Sequence, residues 1–284
     1  MRLAPLIHTR TLNCDFNADF LVRPTSFLDS DIKWARKVVL EATSAIDSLQ
    51  GERWIVFDNG KYRVAGVVGF TKNICQKAGM LHDDRSNRLF ADNKGRLIYA
   101  FIGVVAKCSD CFQNEKLTYE YLWKQYEYNV GEVWERTYQS TIQRNFEEVS
   151  LPTTLKQGKR KPGTIIGKTA CYEANAALDT EIFEQYLLTD DNNFSFCSNL
   201  CDINSVKRNS FSAITTTNNI ITRMSRTQSP QLPIQKQQPQ PVKELQEDNE
   251  KKKSSAQKKN YFPILWLAIL ILALAMVAVV IALE

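Results

Sequence analysis

Residues 54–70 read WIVFDNGKYRVAGVVGF. Two apolar arms flank Asp58-Asn59-Gly60, and Asn-Gly supplies the two positive φ angles that a tight hairpin turn needs. The second arm is apolar at both parities, through Val64, Ala65, Val67 and Val68. A strand of that kind belongs inside a sheet covered on both faces. Gly66 and Gly69 interrupt it and mark a bulge or a close backbone approach. A second run of the same character, LIYAFIGVVA over 97–106, follows the turn residues Asp92-Asn93-Lys94-Gly95 and has its own mid-strand glycine, Gly103. The two runs are expected to pair as neighbouring central strands.

Working outward, residues 3–22 alternate loosely between apolar and polar side chains and predict one or two short strands, closed by Pro24. Ile32, Ala35, Val38, Val39, Ala42, Ile46 and Leu49 fall at three- and four-residue spacing. They predict an amphipathic helix over 29–49, capped by Asp29 or Ser30 and stopped near Gly51. Trp34 reads as a core or rim residue of that helix. A second helical pattern runs from 115 to 146 through Leu117, Tyr121, Leu122, Tyr126, Val130, Val133, Trp134 and Tyr138, with Gly131 as a bend. Its dense aromatics read as core packing, with a partner-binding surface as the sharper alternative. Residues 150–164 read as a loop, 180–188 as a helix and 192–196 as a last strand. The fold class expected is α+β: a mostly antiparallel sheet on strands 52–57, 61–70 and 96–106, packed by helices 30–49 and 115–146.

The chain's other strong signal is its end. Residues 262–283, FPILWLAILILALAMVAVVIAL, form an uncharged run of 22 residues. As a helix it would span about 33 Å, matching a hydrocarbon core of ~30 Å. Tyr261, Phe262 and Trp266 suit a headgroup boundary, and Lys258 and Lys259 belong to the lysine-rich stretch KKKSSAQKKN just before it. Positive charge on that side keeps the N-terminus cytoplasmic. The expectation is a single-pass, tail-anchored protein, with residues 1–204 a cytosolic α+β domain, 205–260 a disordered Pro/Gln/Ser-rich linker and 261–284 the anchor. The N-terminal stretch MRLAPLIHTRTLNC has no apolar run of signal-peptide length.

Charge is unevenly placed. Residues 205–260 hold 11 Lys+Arg against 4 Asp+Glu, whereas 1–204 hold 25 against 26. The basic character therefore belongs to the tether, and a near-neutral folded part argues against nucleic-acid binding. Seven cysteines, an odd and widely spaced set, do not read as a disulfide framework.

The chemistry-bearing motifs are weak. Pro162–Thr169 in sequence, PGTIIGKT, approaches a phosphate-binding loop but has proline at the first required glycine and no apolar strand before it. Cys108-x-x-Cys111 and Cys197-x-x-x-Cys201 have near-zinc spacing, but they lie far apart and lack supporting knuckle turns. With two histidines, His8 and His82, and no nucleophile motif, nothing specifies an acid–base constellation. No metal or cofactor is expected. The best ligand candidates are Asp83, Asp84, Arg85 and Arg88 in the polar segment 71–91, against the plainer reading of a solvated loop.

The function expected is that of an interaction, sensor or adaptor module held at a membrane, with a cytosolic protein or small ligand as its partner. One alternative is a membrane-disrupting effector activated by clustering, in which copies associate through small residues such as Ala268, Ala275 and Ala282. Another is a membrane-tethered enzyme with a ligand pocket near 71–91.

Overall fold

The hairpin lies at the middle of the sheet. In the computed structural model, which describes residues 1–17, 19–44, 51–81, 84–154 and 162–228, β3 (Arg53–Asp58) and β4 (Tyr62–Phe70) pair antiparallel. β5 (Tyr99–Lys107) runs along the other side of β4, antiparallel, from Tyr62↔Lys107 to Phe70↔Tyr99. The glycines of the two runs meet as Gly66↔Gly103. A Cβ at Gly66 would come within 2.4 Å of the Ile102 carbonyl, and one at Gly103 within 2.3 Å of the Phe101 ring. These glycines thus make room for a buried phenyl ring rather than for a bulge. The turn is wider than expected. Gly60 alone has positive φ, and the Asn59 side chain accepts from the N–H groups of Lys61 and Tyr62 at 3.0 and 2.8 Å. The side chain takes over part of what a second left-handed residue would have done.

Earlier strands β1 (Arg2–Thr9) and β2 (Val22–Pro24) extend the sheet past β5, joined by β6 (Ile142–Arg144) and β7 (Glu147–Glu148). The other edge is built from β8 (Thr164–Ile166), β9 (Thr169–Glu173), β10 (Ser195–Cys197) and β11 (Ala213–Thr216). The order is β6-β2-β1-β5-β4-β3-β10-β11-β9-β8, with β7 also paired to β1. β11 lies between β10 and β9 and is parallel to both, and β2 is parallel to β6. The sheet is therefore mixed, not mostly antiparallel.

Helices cover both faces, which is why β4 is buried at both parities. α1 (Asp29–Ala42) lies on one face, its Ala35, Val38, Val39 and Ala42 packed with Ile55, Phe57, Val64, Val68 and Phe101. α6 (Ile203–Arg208) and α7 (Asn218–Gln228) join that layer through Val206, Ile220 and Ile221. α2 (Thr71–Lys77), α4 (Tyr119–Gly131) and α5 (Ala176–Leu187) cover the other face through Ile74, Trp123, Tyr126 and Phe183, against Trp54, Val56, Val67 and Ile102. A short helix, α3 (Asp84–Asn87), is pinned to α4 by a hydrogen bond from Trp123 Nε1 to Ser86 Oγ, 3.1 Å.

Several expectations shift. α1 is capped at Leu28, whose N–H donates to the Asp31 carboxylate at 3.0 Å, so neither Asp29 nor Ser30 is the cap. The second helix ends at Gly131 instead of 146; the chain then turns so that Ile142–Arg144 can pair with β2. Residues 71–91 hold α2 and α3 within what reads as a polar loop. Trp123, Tyr126 and Trp134 are buried, as core packing requires, while Tyr128 and Tyr138 are exposed. Trp34 sits at the rim, edge-on to Phe57 at 5.0 Å.

The folded chain also runs past residue 204. The segment 205–228 contains α6, β11 and α7, and all four residues of β11 are buried. Composition hides this because two of them are threonines. Their hydroxyls are satisfied inside: Thr216 donates to the Leu200 carbonyl at 2.7 Å and Thr215 to the Asp179 carboxyl. A buried hydroxyl with a partner costs little. The rest of the expected linker and the anchor 261–284, including Lys258, Lys259, Tyr261, Phe262 and Trp266, lie outside the described residues. Among those described, no helix is long and apolar enough to cross a membrane.

Candidate functional site

β9, β11 and β10 run side by side in one direction, so their carboxyl ends open on one edge of the fold. Open sheets with parallel strands place ligands at such edges. A cleft of about 390 Å³ lies here, lined by Glu52, Trp54, Lys77, Tyr119, Asn175, Asp179 and Asn199 among others. β3 is antiparallel to β10, which brings its amino-terminal end, with Glu52 and Trp54, to the same place. The Trp54 N–H donates to Ser198 Oγ and the Ser198 N–H to the Trp54 carbonyl, both at 2.8 Å.

Glu52 is buried because Gly69 stands beside it: a Cβ there would come 2.9 Å from Glu52 Cγ. Lys77, in the last turn of α2, reaches the Glu52 carboxylate at 2.6 Å from a half-exposed position. Its ammonium also lies 5.5 Å over the Tyr119 ring, which meets Trp54 edge-on at 4.7 Å. One cation thus joins a buried acid to an aromatic wall. Burial, and then the charge of Glu52, pushes the Tyr119 phenol well above its ordinary range, so it stays protonated and can donate.

The opposite wall is the first turn of α5. Asn175 caps it, accepting from the Leu178 N–H at 2.9 Å. Asp179, one turn in, accepts from Thr215 Oγ1 of β11, and that oxygen accepts from the Asn199 N–H at 2.7 Å. Burial raises the Asp179 carboxyl above its usual range, partly offset by hydrogen bonds from Thr215 and the backbone at Asn175. Asn199 has positive φ, 52°, and its carbonyl is held at 3.3 Å by the buried Arg53, which also donates to the carbonyls of Ala42 and Ser44 at 2.7 and 2.6 Å. The wall is therefore braced from within.

Chemically this is a polar recess with two buried acids, a cation shared with solvent, a neutral phenol and two amides. It can hydrogen-bond a small polar ligand from several sides. No pattern in the sequence brings these residues together. Gly69, small beside Glu52, is the sole local hint, and it reads equally as a bulge.

The residues singled out from sequence fare differently. Asp83 lies outside the described residues. Asp84 and Arg85 open α3, and Arg88 forms an exposed ion pair with Glu135 at 3.7 Å. The PGTIIGKT segment is a strand–turn–strand, β8 to β9, with Gly167 at φ 64° in the turn. Its backbone donors serve the sheet, and no helix follows Lys168, so it is not a phosphate-binding loop. Cys108 donates to Asp58 at 3.2 Å, and burial with that carboxylate pushes its thiol up to about 12. Cys197 is likewise pushed up to about 12 by burial, and Cys111 and Cys201 are raised by the same cause. Such thiols are poor nucleophiles and poor metal ligands. Among the described residues, no group of three or more His, Cys, Asp or Glu is placed to hold a metal ion.

No family model matches the chain, and no curated protein and no solved structure is similar to it.

Proposed function

We propose that the chain is a single-pass, tail-anchored membrane protein whose folded part is a ligand-sensing module, facing the cytoplasm on a linker that begins after α7. The observation that carries the sensing role is the cleft at the carboxyl ends of β9 and β11. Glu52, paired with a solvent-reaching lysine, and Asp179 are both buried in its lining, an arrangement that costs stability and that packing alone does not require. The apolar run 262–283 and the lysines before it support the anchoring. No catalytic step is assigned to the cleft.

A second reading, a membrane-tethered enzyme, is favoured by one fact: Asp179 is pushed toward its neutral form in a cleft that also holds Glu52, as in acid–base sites.

The test has two arms. Full-length protein is expected in the membrane pellet after alkaline extraction, while residues 1–228 stay soluble and folded. A 1–228 fragment that pellets with membranes defeats the anchor. For the cleft, small molecules co-purifying with the full-length protein are compared by mass spectrometry with those on Lys77→Ala and Asp179→Ala. A species lost from both folded variants supports sensing, and identical profiles oppose it.

A further inference from the structure

We propose that the cleft lined by α1 together with Asn17, Asp19 and Thr141 is an anion site that holds a phosphate monoester. It has a volume of about 680 Å³, and Lys33, Arg36 and Lys37 line it. These three fall within one turn of α1, where like charges at i, i+4 repel by a few tenths of a kcal/mol. Among the described residues none of the three forms an ion pair. Nor do they serve the helix dipole, since the last turn of α1 contains no basic residue. The repulsion is thus kept without an ion-pair partner among the described residues.

Two carboxylates also line the cleft, and one of them is engaged elsewhere. Asp19 is bound by Arg23 Nε at 2.8 Å and accepts from the Phe20 N–H at 2.6 Å. Asp29 is the first residue of α1, where its charge answers the positive end of the helix. Among the described residues Arg36 Nε is shut away from solvent and finds no hydrogen-bond partner. Behind it, His8 is buried with Nδ1 also unpartnered, and burial followed by the Arg36 charge lowers its pKa to about 4. Three cations against two carboxylates, one of them already paired with Arg23, leave the field in this corner positive on balance, although Asp19 partly opposes Arg36 at His8. A planar guanidinium flanked by two ammonium groups suits a doubly charged tetrahedral anion better than a single carboxylate. Such a group could come from a soluble phosphate compound or from a lipid headgroup at the membrane. The site shares no lining residue with the Glu52 cleft.

The test uses full-length protein. Phenyl phosphate, a soluble phosphate monoester, is titrated by calorimetry into protein in neutral detergent micelles. In parallel, the His8 signal of histidine-labelled protein is followed by NMR in nanodiscs of phosphatidylcholine with or without phosphatidic acid, and assigned with His8→Gln. Saturable phenyl phosphate binding, weakened about tenfold by Arg36→Gln and by Lys33→Gln/Lys37→Gln, supports the site and a soluble ligand. A His8 shift that requires phosphatidic acid and is lost in both variants supports the site and a lipid ligand. Circular dichroism melting confirms that each variant is folded; if one is not, the other decides. Neither response in the wild type, or responses of equal size in the folded variants, overturns the proposal.

Discussion

Asp58 and Arg63 close the central hairpin across its turn, carboxylate to guanidinium at 3.0 Å, with both side chains inside the protein. Arg63 also donates to the carbonyls of Leu187, Thr189 and Asp191 at 3.0, 2.7 and 2.8 Å, and stacks on Phe194 at 5.0 Å. One arginine thus fastens the hairpin to the carboxyl end of α5, the helix whose first turn forms a wall of the Glu52 cleft. Replacing Arg63 by Met takes the counter-charge from a buried carboxylate, which keeps its hydrogen bonds from Cys108, Gly60 and Asn193, and one donor from each of three carbonyls. The expected loss is about 3–5 kcal/mol, read from urea unfolding. Adding Asp58→Asn should cost less than the sum of the two single changes, because the orphaned charge is then gone. Strict additivity would show that the pair does not act as a unit.

Gly66→Ala should be far more damaging than its chemistry suggests. The new Cβ would meet backbone, the Ile102 carbonyl at 2.4 Å, and cannot be relieved by a rotamer change. Overpacking of a central strand is expected to cost about 3 kcal/mol or more. Gly95→Ala is the control: nothing lies within 4 Å and only the positive φ of 73° opposes it, for about 1 kcal/mol. Similar melting temperatures for the two variants would contradict the close packing at Gly66.

His8 makes stability depend on pH. Its folded-state pKa, lowered to about 4 from 6.5 by burial and by Arg36, means that the unfolded chain takes up the proton first. The stability tied to neutral His8 is complete above about pH 6.5 and is lost as pH falls through about 4. The shift amounts to about 3 kcal/mol. His8→Gln should flatten the wild-type decline across that window. A decline of unchanged steepness in the variant would place its origin elsewhere.

Asp179 acts in the opposite sense. Burial raises its folded-state pKa, so the carboxyl favours folding while neutral and opposes it once ionised. Stability tied to it is complete below the unfolded value of about 4 and lost as pH rises through the raised value. Asp179→Asn should therefore gain in melting temperature relative to wild type as pH rises above about 4, then hold level. A gap independent of pH would show that the carboxyl does not titrate differently on folding.

Cutting the chain at residue 204 removes β11 from between β9 and β10. A 1–204 fragment is expected to aggregate on expression, whereas 1–228 gives a cooperative melt. A well-folded 1–204 fragment would mean that β11 is dispensable to the sheet.

Much of the architecture follows from the chain alone. Val64–Val68 and Phe101–Val105 are apolar at both parities, and only a sheet with two covered faces satisfies that. The periodic face of α1 is an equally local signal, carried by one continuous segment. Tertiary structure decided the rest. Ala213–Thr216 looks like linker because its threonines are polar, and becomes a central strand because Asp179 and Leu200 accept their hydroxyls. The turn after Asp58 took its form from side-chain hydrogen bonds that a two-residue rule does not include. The cleft gathers Glu52, Lys77, Tyr119, Asp179 and Asn199 from separate elements, so no spacing in the sequence announces it. Local periodicity reports which face of an element meets apolar surroundings. It carries no record of which distant strand or helix supplies them, and that choice is where the site is made.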